Sequence, residues 1–279
     1  MNPAERLHLR EVVEWALRED WGSGDITSSL TVPAQRQARA FIRAKASGVL
    51  AGAEAIAIAS EAVGGVRVDA ALADGSAFEP GRVIAELSGR AQALLAIERV
   101  TLNILQHLSG VASLTRRYVD AVAGTGARIV DTRKTLPGLR LLQKYAVRVG
   151  GGHNHRFGLS DGVLIKNNHI TAAGGLRAAV EAARRHAPHP LRVEVECRSL
   201  EEVEEALAAG AEAILLDNMD LDMLRQAVER IAGRALTEAS GGVRLETVRA
   251  IAETGVNLIS VGALTHSAPA IDLHMVLEL

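Results

Sequence analysis

From Arg128 onward the chain alternates short apolar runs with helical stretches, and this alternation limits the possible folds more than any other feature. The apolar runs are Arg128–Asp131, Gly162–Lys166, Leu191–Glu196, Ala213–Asp217, Ala235–Glu238 and Leu258–Val261. Between the later runs, apolar residues recur with helical period over Ala172–His186, Ser199–Ala209, Leu221–Ile231 and Arg244–Glu253. Strands joined through helices are parallel strands. Every run ends in a polar residue or a glycine: Asp131-Thr132-Arg133-Lys134, Lys166-Asn167-Asn168, Glu196, Asp217-Asn218, Ser240-Gly241 and Gly262. A barrel gathers its chemistry at that rim, and an open doubly wound sheet also places ligands at strand ends. Two features favour the barrel. Charged residues mark strand ends all along the run rather than at one switch point. Glu194 and Glu196 also share one face by period two, while Val193 and Val195 share the other. About six strands are visible against the eight of a closed barrel, so the barrel is expected to be incomplete.

The first hundred residues read differently. Met1–Asp20 is an amphipathic helix with charges among its apolar positions, and so not a signal peptide. Gln37–Lys45 alternates as a half-buried strand, with Ala38, Ala40, Ile42 and Ala44 on one face. Further strands are expected at Val66–Leu72 and Arg82–Leu87, and a helix at Ala51–Val63. A long helix over about Leu95–Val122 links this α+β layer to the second part. Aromatics make up only 3% of the residues, so Ala, Val, Leu and Ile must fill both cores.

The net charge of −2 gives no global case for nucleic acid or an anionic membrane. No apolar run reaches the length of a membrane span. Cys197 is the sole cysteine, which rules out an intrachain disulfide and a cysteine metal cluster and suits a reducing cytoplasm. Beside Glu196 it is expected to be a buried thiol, not a nucleophile. Against the balanced whole, Asp131–His169 concentrates Arg133, Lys134, Arg140, Lys144, Arg148, Arg156 and Lys166 with only Asp131 and Asp161 opposing them. Such a segment is expected to hold a small polyanion through charge-assisted hydrogen bonds. Gly150-Gly151-Gly152 beside His153 suggests backbone lying close to that ligand.

Ser240-Gly241-Gly242 ahead of the Arg244–Glu253 helix is an expected anion site at a helix N-terminus, and Val261-Gly262-Ala263 ends the next strand. Two such loops late in a barrel match its common phosphate site. Glu196 and Asp217, opposite the basic wall, have three open roles: binding ribose hydroxyls, holding Mg²⁺ or stabilising a developing cation. A buried ion pair with Lys166 or an arginine is a further reading. His153-Asn154-His155 lacks a third metal ligand, and His266 reads as a structural or helix-end residue.

Motifs along the whole chain resemble the quinolinate phosphoribosyltransferase family. They are Glu19-Asp20-Trp21-Gly22-Ser23-Gly24-Asp25, Gly48–Gly52, Glu98–Asn103, Ser109–Ala112, Asp131–Thr135 with Pro137–Arg140, Lys144–Val147, Gly150–Arg156, Leu164–His169, Leu215–Asn218, Glu238–Gly242 and Ile259–Ala263. Leu136 and Gln143 depart from the family pattern.

The resemblance implies an N-terminal α/β sandwich (1–108) and an incomplete, seven-stranded α/β barrel (109–279), with a tail from about 267 packed on the first domain. It also implies transfer of phosphoribosyl from phosphoribosyl pyrophosphate to quinolinate with decarboxylation, Mg²⁺ with the pyrophosphate, a cytoplasmic location and a homodimer in which Arg99 enters the partner's site. Carried onto matching positions, Thr132, Arg133, Lys134, His155, Arg156 and Lys166 surround the carboxylates and phosphates. Glu196 and Asp217 face ribose and Mg²⁺, while Ser240, Gly241, Gly242, Val261, Gly262 and Ala263 cradle a phosphate. Lys134, Lys166, Glu196 and Asp217 are the expected catalytic set. The alternatives are a relative acting on nicotinate or associated with molybdate transport, a barrel using Lys166 as a Schiff base, and an anion-binding module without turnover.

Overall fold

The computed structural model describes all 279 residues. Helices α1 (Pro3–Trp21) and α2 (Ile26–Thr31) come first. They are followed by β1 (Gln37–Ala44), β2 (Gly48–Val49), α3 (Glu54–Val63), β3 (Val66–Ala71), β4 (Ala77–Phe78), β5 (Val83–Arg90) and the long α4 (Ala91–Ala121). Next come β6 (Arg128–Val130), α5 (Arg140–Val149), β7 (Val163–Ile165), α6 (Asn167–Ala173), α7 (Leu176–His186), β8 (Val193–Cys197), α8 (Leu200–Ala209) and β9 (Ala213–Asp217). The chain closes with α9 (Leu221–Ile231), β10 (Leu236–Ser240), α10 (Val248–Ala252), β11 (Leu258–Ser260), α11 (Ala263–His266) and β12 (Leu273–Glu278).

Two compact units result. One comprises Met1–Arg116, Pro137–Gly151 and Ser267–Leu279; the other comprises Arg117–Leu136 and Gly152–His266. The chain passes between them several times, whereas the division expected at 108/109 is crossed once.

In the first unit, α1 starts because Asn2 and Glu5 form a reciprocal capping box and Pro3 needs no hydrogen-bond acceptor at the first turn. Leu9, Val13 and Leu17 recur every four residues and give the helix its buried stripe. The sheet is antiparallel, in the order β12-β1-β5-β3. Ala38, Ala40, Ile42 and Ala44 face a core shared with Leu87 of β5 and Leu94, Leu102 and Leu105 of α4. Each such leucine or isoleucine contributes about 1.5–3 kcal/mol on burial. Small residues also set the spacing. A Cβ on Gly110 of α4 would lie 2.2 Å from the Pro269 carbonyl oxygen, so only glycine lets the C-terminal segment run this close. That segment is bonded to α4 through Ile271 N–H to Gln106 O, 3.0 Å, before β12 pairs with β1.

In the second unit, six strands form one fully parallel sheet in the order β6-β11-β10-β9-β8-β7. Six is one fewer than the resemblance implies. On the free side of β6, only His153 makes a single parallel bridge, to Val130, and its residue pair is too isolated to count as a strand. The architecture is that of an incomplete α/β barrel. Helices between strands carry the expected signals: Ser199 caps α8, Asp220 caps α9, and Gly210 ends α8 in the left-handed region.

Three expectations need correction. The helix placed at Arg244–Glu253 begins only at Val248, because Arg244–Thr247 closes a turn through Thr247 N–H to Arg244 O. The anion loop is therefore not at a helix N-terminus. Second, Arg140–Val149 is a helix, not part of the pocket wall. Its Lys144 is 2% exposed, and Arg148 pairs with the buried Glu5. Third, the glycine run begins with packing: a Cβ on Gly150 would meet Ala112 O at 2.4 Å and Thr115 Cβ at 2.7 Å.

Candidate active site

The C-terminal ends of the parallel strands surround a cavity of about 150 Å³ in the second unit. Parallel strands put successive strand ends on one rim, so residues distant in sequence meet there. Thr132, Arg133 and Lys134 follow β6, Lys166 follows β7, Glu196 is the penultimate residue of β8, and Asp217 and Ser240 end β9 and β10. His155 and Arg156 come from the loop before β7 and line the same cavity.

Hydrogen bonds fix these groups from below. Asp131 is fully buried; its carboxylate accepts from His155 N–H at 2.9 Å and from Asn154 Nδ2 at 2.5 Å, which pins the loop carrying His155 and Arg156. The Arg156 guanidinium donates to Gly162 O at 2.9 Å. The Lys134 N–H donates to Thr132 Oγ1 at 3.0 Å, and the Thr265 hydroxyl donates to Lys134 O at 2.7 Å. Lys166 N–H donates to His169 Nδ1 at 2.9 Å. Asn167 Nδ2 donates to Glu196 Oε1 at 2.7 Å.

The electrostatics are those of two opposed walls. Burial lowers the Arg156 pKa, and the charge of Arg133 lowers it further, while Glu194 and Asp161 oppose the shift. Two guanidiniums that repel each other are ready for an anion to relieve them. Burial also raises Glu196, and the Asp217 carboxylate adds to that, against Lys166 and Arg198. Two mutually repelling carboxylates beside the cations are a hard-oxygen donor pair of the kind Mg²⁺ takes.

A second cavity, about 440 Å³, adjoins the first and shares Thr132, Lys134, Ser240 and Ser260 with it. Its floor is Gly241, Gly242, Val261, Gly262 and Ala263. Gly241 has φ +97°, and a Cβ there would fall 2.2 Å from Asn218 Oδ1. Asn218, itself at φ 55°, donates from its amide to Asp217 Oδ2 at 2.9 Å. At Gly241 the backbone leaves no room for a side chain, and the positive φ values of Gly241 and Gly242 turn the loop as a backbone anion cradle requires.

Of the residues singled out in the sequence, Thr132, Arg133, Lys134, His155, Arg156, Lys166, Glu196, Asp217 and Ser240 line the first cavity. The glycine loops and Val261 and Ala263 line the second. Arg99 is exposed on α4 in the first unit and lines neither. Cys197 is buried and its thiol is pushed up to about 12, mainly by burial, so it stays protonated and unreactive. His266 ends α11, as expected of a helix-end residue, and it also lines the second cavity, with Nε2 3.3 Å from where a Gly262 Cβ would sit. Glu238 and Ser260 were missed as site residues, as was Glu194, which lies outside both cavities but pairs with His155 at 3.2 Å. Period two carried the signal, since Glu194 shares a face with Glu196, and Glu238 with Ser240.

Fold and site together define an incomplete α/β barrel with a cationic cavity and an adjoining glycine-lined one at its strand ends, a setting suited to a multiply charged small molecule. The comparisons are specific about which. Residues 25–109 match the model of the quinolinate phosphoribosyl transferase N-terminal domain, and residues 111–276 match that of its C-terminal domain. The chain is 46% identical over 271 residues to nicotinate-nucleotide pyrophosphorylase (carboxylating) of Mycobacterium leprae, covering 95% of each protein. It is 43% identical over 290 residues to a mitochondrial quinolinate phosphoribosyltransferase (decarboxylating) of Nicotiana glauca, covering 97% of this chain and 82% of that one. The solved nicotinate-nucleotide pyrophosphorylase of Francisella tularensis superposes with a TM-score of 0.94 at 37% identity, covering 98% of this chain and 97% of that one. This chain belongs to the quinolinate phosphoribosyltransferase family.

Proposed function

We propose that this enzyme joins quinolinate to the phosphoribosyl group of phosphoribosyl pyrophosphate, giving nicotinate mononucleotide, pyrophosphate and CO₂ for NAD biosynthesis. The observation that carries the reading is the convergence of Arg133, Lys134, Arg156 and Lys166 on one small cavity next to a glycine-built cradle. A dianionic pyridine and a phosphorylated sugar are side-by-side anions, and this arrangement has a place for each.

The cationic wall compensates the two quinolinate carboxylates and holds the ring nitrogen toward the anomeric carbon of the ribose, removing the entropic cost of encounter. The Gly241-Gly242 and Gly262 loops take the 5′-phosphate. As the bond to pyrophosphate lengthens, positive charge grows on the anomeric carbon, and the Glu196–Asp217 wall stabilises it. The same two carboxylates are the groups that would hold Mg²⁺, whose chemistry is to neutralise the departing pyrophosphate. Bond formation turns the ring nitrogen into a pyridinium, which accepts the electron pair left when the adjacent carboxylate departs as CO₂. No protein nucleophile is needed, and Lys166 acts by its charge.

The proposal includes a cytoplasmic homodimer. No helix is long and apolar enough to cross a membrane. Arg99, exposed on α4, is assigned to the cavity of a second copy. The enzyme reading is tested by incubating the protein with phosphoribosyl pyrophosphate, Mg²⁺ and either quinolinate or nicotinate. Mononucleotide and CO₂ in equal amounts from quinolinate support it. Turnover of nicotinate alone, or of neither acid, contradicts it.

A further inference from the structure

His155, Glu194 and Glu238 bring three polar atoms within 4.8 Å of one another below the rim. Nε2 of His155 lies 3.2 Å from Glu194 Oε2 and 3.5 Å from Glu238 Oε2. Nδ1 of the same ring accepts the Arg156 backbone N–H at 2.7 Å. An accepting Nδ1 places the proton of the neutral ring on Nε2, so Nε2 points a donor, not a lone pair, at the carboxylates. The cluster therefore holds protons and is not a metal site.

Glu238 is 1% exposed, and neither of its carboxylate oxygens makes a close hydrogen bond, with His155 Nε2 standing 3.5 Å from Oε2. Burial, then the charge of Glu194 on β8, and more weakly Asp131 after β6, favour its neutral form; His155 and the Ser260 hydroxyl on β11 oppose them. A buried carboxylate so weakly compensated and beside Glu194 is costly, and a carboxylic acid is much less so.

The place of this acid is unusual. It lines the rim cavity together with Lys166 and Arg133. It also lines a second cavity of about 330 Å³, which shares His155 and Arg156 with the first and is bounded further on by Val163, Ala213, Leu236 and Leu258, the first residues of β7, β9, β10 and β11. That cavity thus reaches Glu238 from the opposite end of the strands. Glu238, with His155 and Arg156, stands between the reaction site and a second route to water.

We propose that Glu238 is the acid that protonates the pyridine ring carbon from which CO₂ leaves, and that it recovers its proton through the cavity at the strand starts. The proposal rests on the quinolinate reading. When the carbon–carboxylate bond breaks, its electron pair remains on the ring carbon beside the pyridinium nitrogen. That pair takes the proton of the Glu238 carboxyl, forming the new C–H bond and leaving the Glu238 carboxylate. The His155 Nε2–H, held between the two glutamates, steadies the carboxylate until a water in the second cavity returns a proton. CO₂ leaves neutral, so atoms and charge balance over the cycle.

The test compares wild type, Glu238→Gln and Leu236→Phe with quinolinate, phosphoribosyl pyrophosphate and Mg²⁺, following pyrophosphate and CO₂ in the same reaction across neutral and alkaline pH. Loss of a positioned acid lowers a rate by about 100-fold or more. Glu238→Gln is expected to slow CO₂ release by about that factor while pyrophosphate release stays ahead of it, so that the undecarboxylated nucleotide accumulates. The alkaline fall of wild-type CO₂ release is expected to disappear in the variant. Leu236→Phe, which leaves the acid in place and narrows the route to it, is expected to slow CO₂ release selectively. Equal release of both products by the two variants, with an unchanged pH profile, overturns the proposal. Failure of the wild type to make any mononucleotide overturns the quinolinate reading itself and is seen before any variant is compared.

Discussion

Gly241 and Gly242 are adjacent, both have positive φ, and the structure assigns them different reasons for being glycine. At Gly242, φ is +59° and a Cβ would meet nothing within 4 Å. At Gly241, φ is +97° and the Cβ would land 2.2 Å from Asn218 Oδ1, 2.6 Å from its Cγ and 3.0 Å from its backbone nitrogen. Gly242→Ala then carries only the backbone penalty of a left-handed alanine, about 1–3 kcal/mol. Gly241→Ala carries that penalty and must also displace Asn218, whose amide bonds to Asp217 Oδ2 and whose N–H bonds to Ser240 O at 2.8 Å. Losing the backbone bond and the bond to a charged carboxylate adds about 2–4 kcal/mol. The excess for Gly241→Ala corresponds to roughly 30-fold or more in kcat/KM for phosphoribosyl pyrophosphate, if it falls on the bound state. Thermal melts and steady-state kinetics of both variants decide the matter. The expected result is a small loss of Tm for Gly242→Ala and a clearly larger loss of Tm and kcat/KM for Gly241→Ala. Equal effects at the two positions would refute the assignment of Asn218 and Asp217 to a wall braced by the cradle.

Other perturbations separate further parts of the account. Arg133→Ala and Lys166→Ala each remove a charged hydrogen-bond donor worth about 1.5–3 kcal/mol, so each should raise KM for quinolinate and lower kcat, with about 10- to 100-fold lost in kcat/KM. An Arg99→Ala protein mixed with a Lys166→Ala protein should recover activity that neither has alone, because subunit exchange re-forms one intact site; no recovery after verified exchange would place Arg99 outside the site. Glu238 bears on stability as well as rate. Its acid form is favoured in the fold, with a pKa raised from 4.5 to about 7, mainly by burial. A carboxyl raised in this way contributes stability that is complete below its unfolded value and lost as pH rises through its folded one. Urea melts should show wild type losing up to about 3 kcal/mol from this group between acid and mildly alkaline pH. Glu238→Gln should not show that loss, and parallel pH curves for the two proteins would refute it.

The strands and helices of the second unit were legible because each buries a stripe of fixed period between caps and glycines: Ser199 and Gly210 bracket α8 as the sequence suggests. So was the rim, since a parallel sheet brings all its strand ends together wherever they lie in the chain. Charge density alone misled. Arg140, Lys144 and Arg148 belong by sequence to the cationic segment, yet they lie on α5 in the first unit, where Arg148 meets Glu5. Nothing local distinguishes a cation facing a ligand from one facing a carboxylate more than a hundred residues away. Gly150 misled for a similar reason, because close packing on Ala112 and Thr115 selects glycine as firmly as a ligand does. The Arg244–Glu253 pattern ran past the true start of α10, since Arg244 and Thr247 close a turn whose residues are also good helix formers. Glu238 was visible as a strand-end residue and as the first residue of a family motif, with no role of its own. Its significance depends on Glu194 and His155 meeting it across the sheet, which no single segment of sequence contains.

Catalysis as proposed requires the two anions to lie side by side at one rim. A crystal structure of the protein soaked with quinolinate and a non-reactive phosphoribosyl pyrophosphate analogue tests this directly. The expected density places the pyridine carboxylates against Arg133, Arg156 and Lys166 and the 5′-phosphate on the Gly241-Gly242 loop. Quinolinate bound away from that cavity, for example beside Arg39 and Arg67 at the groove in the first unit, would contradict it.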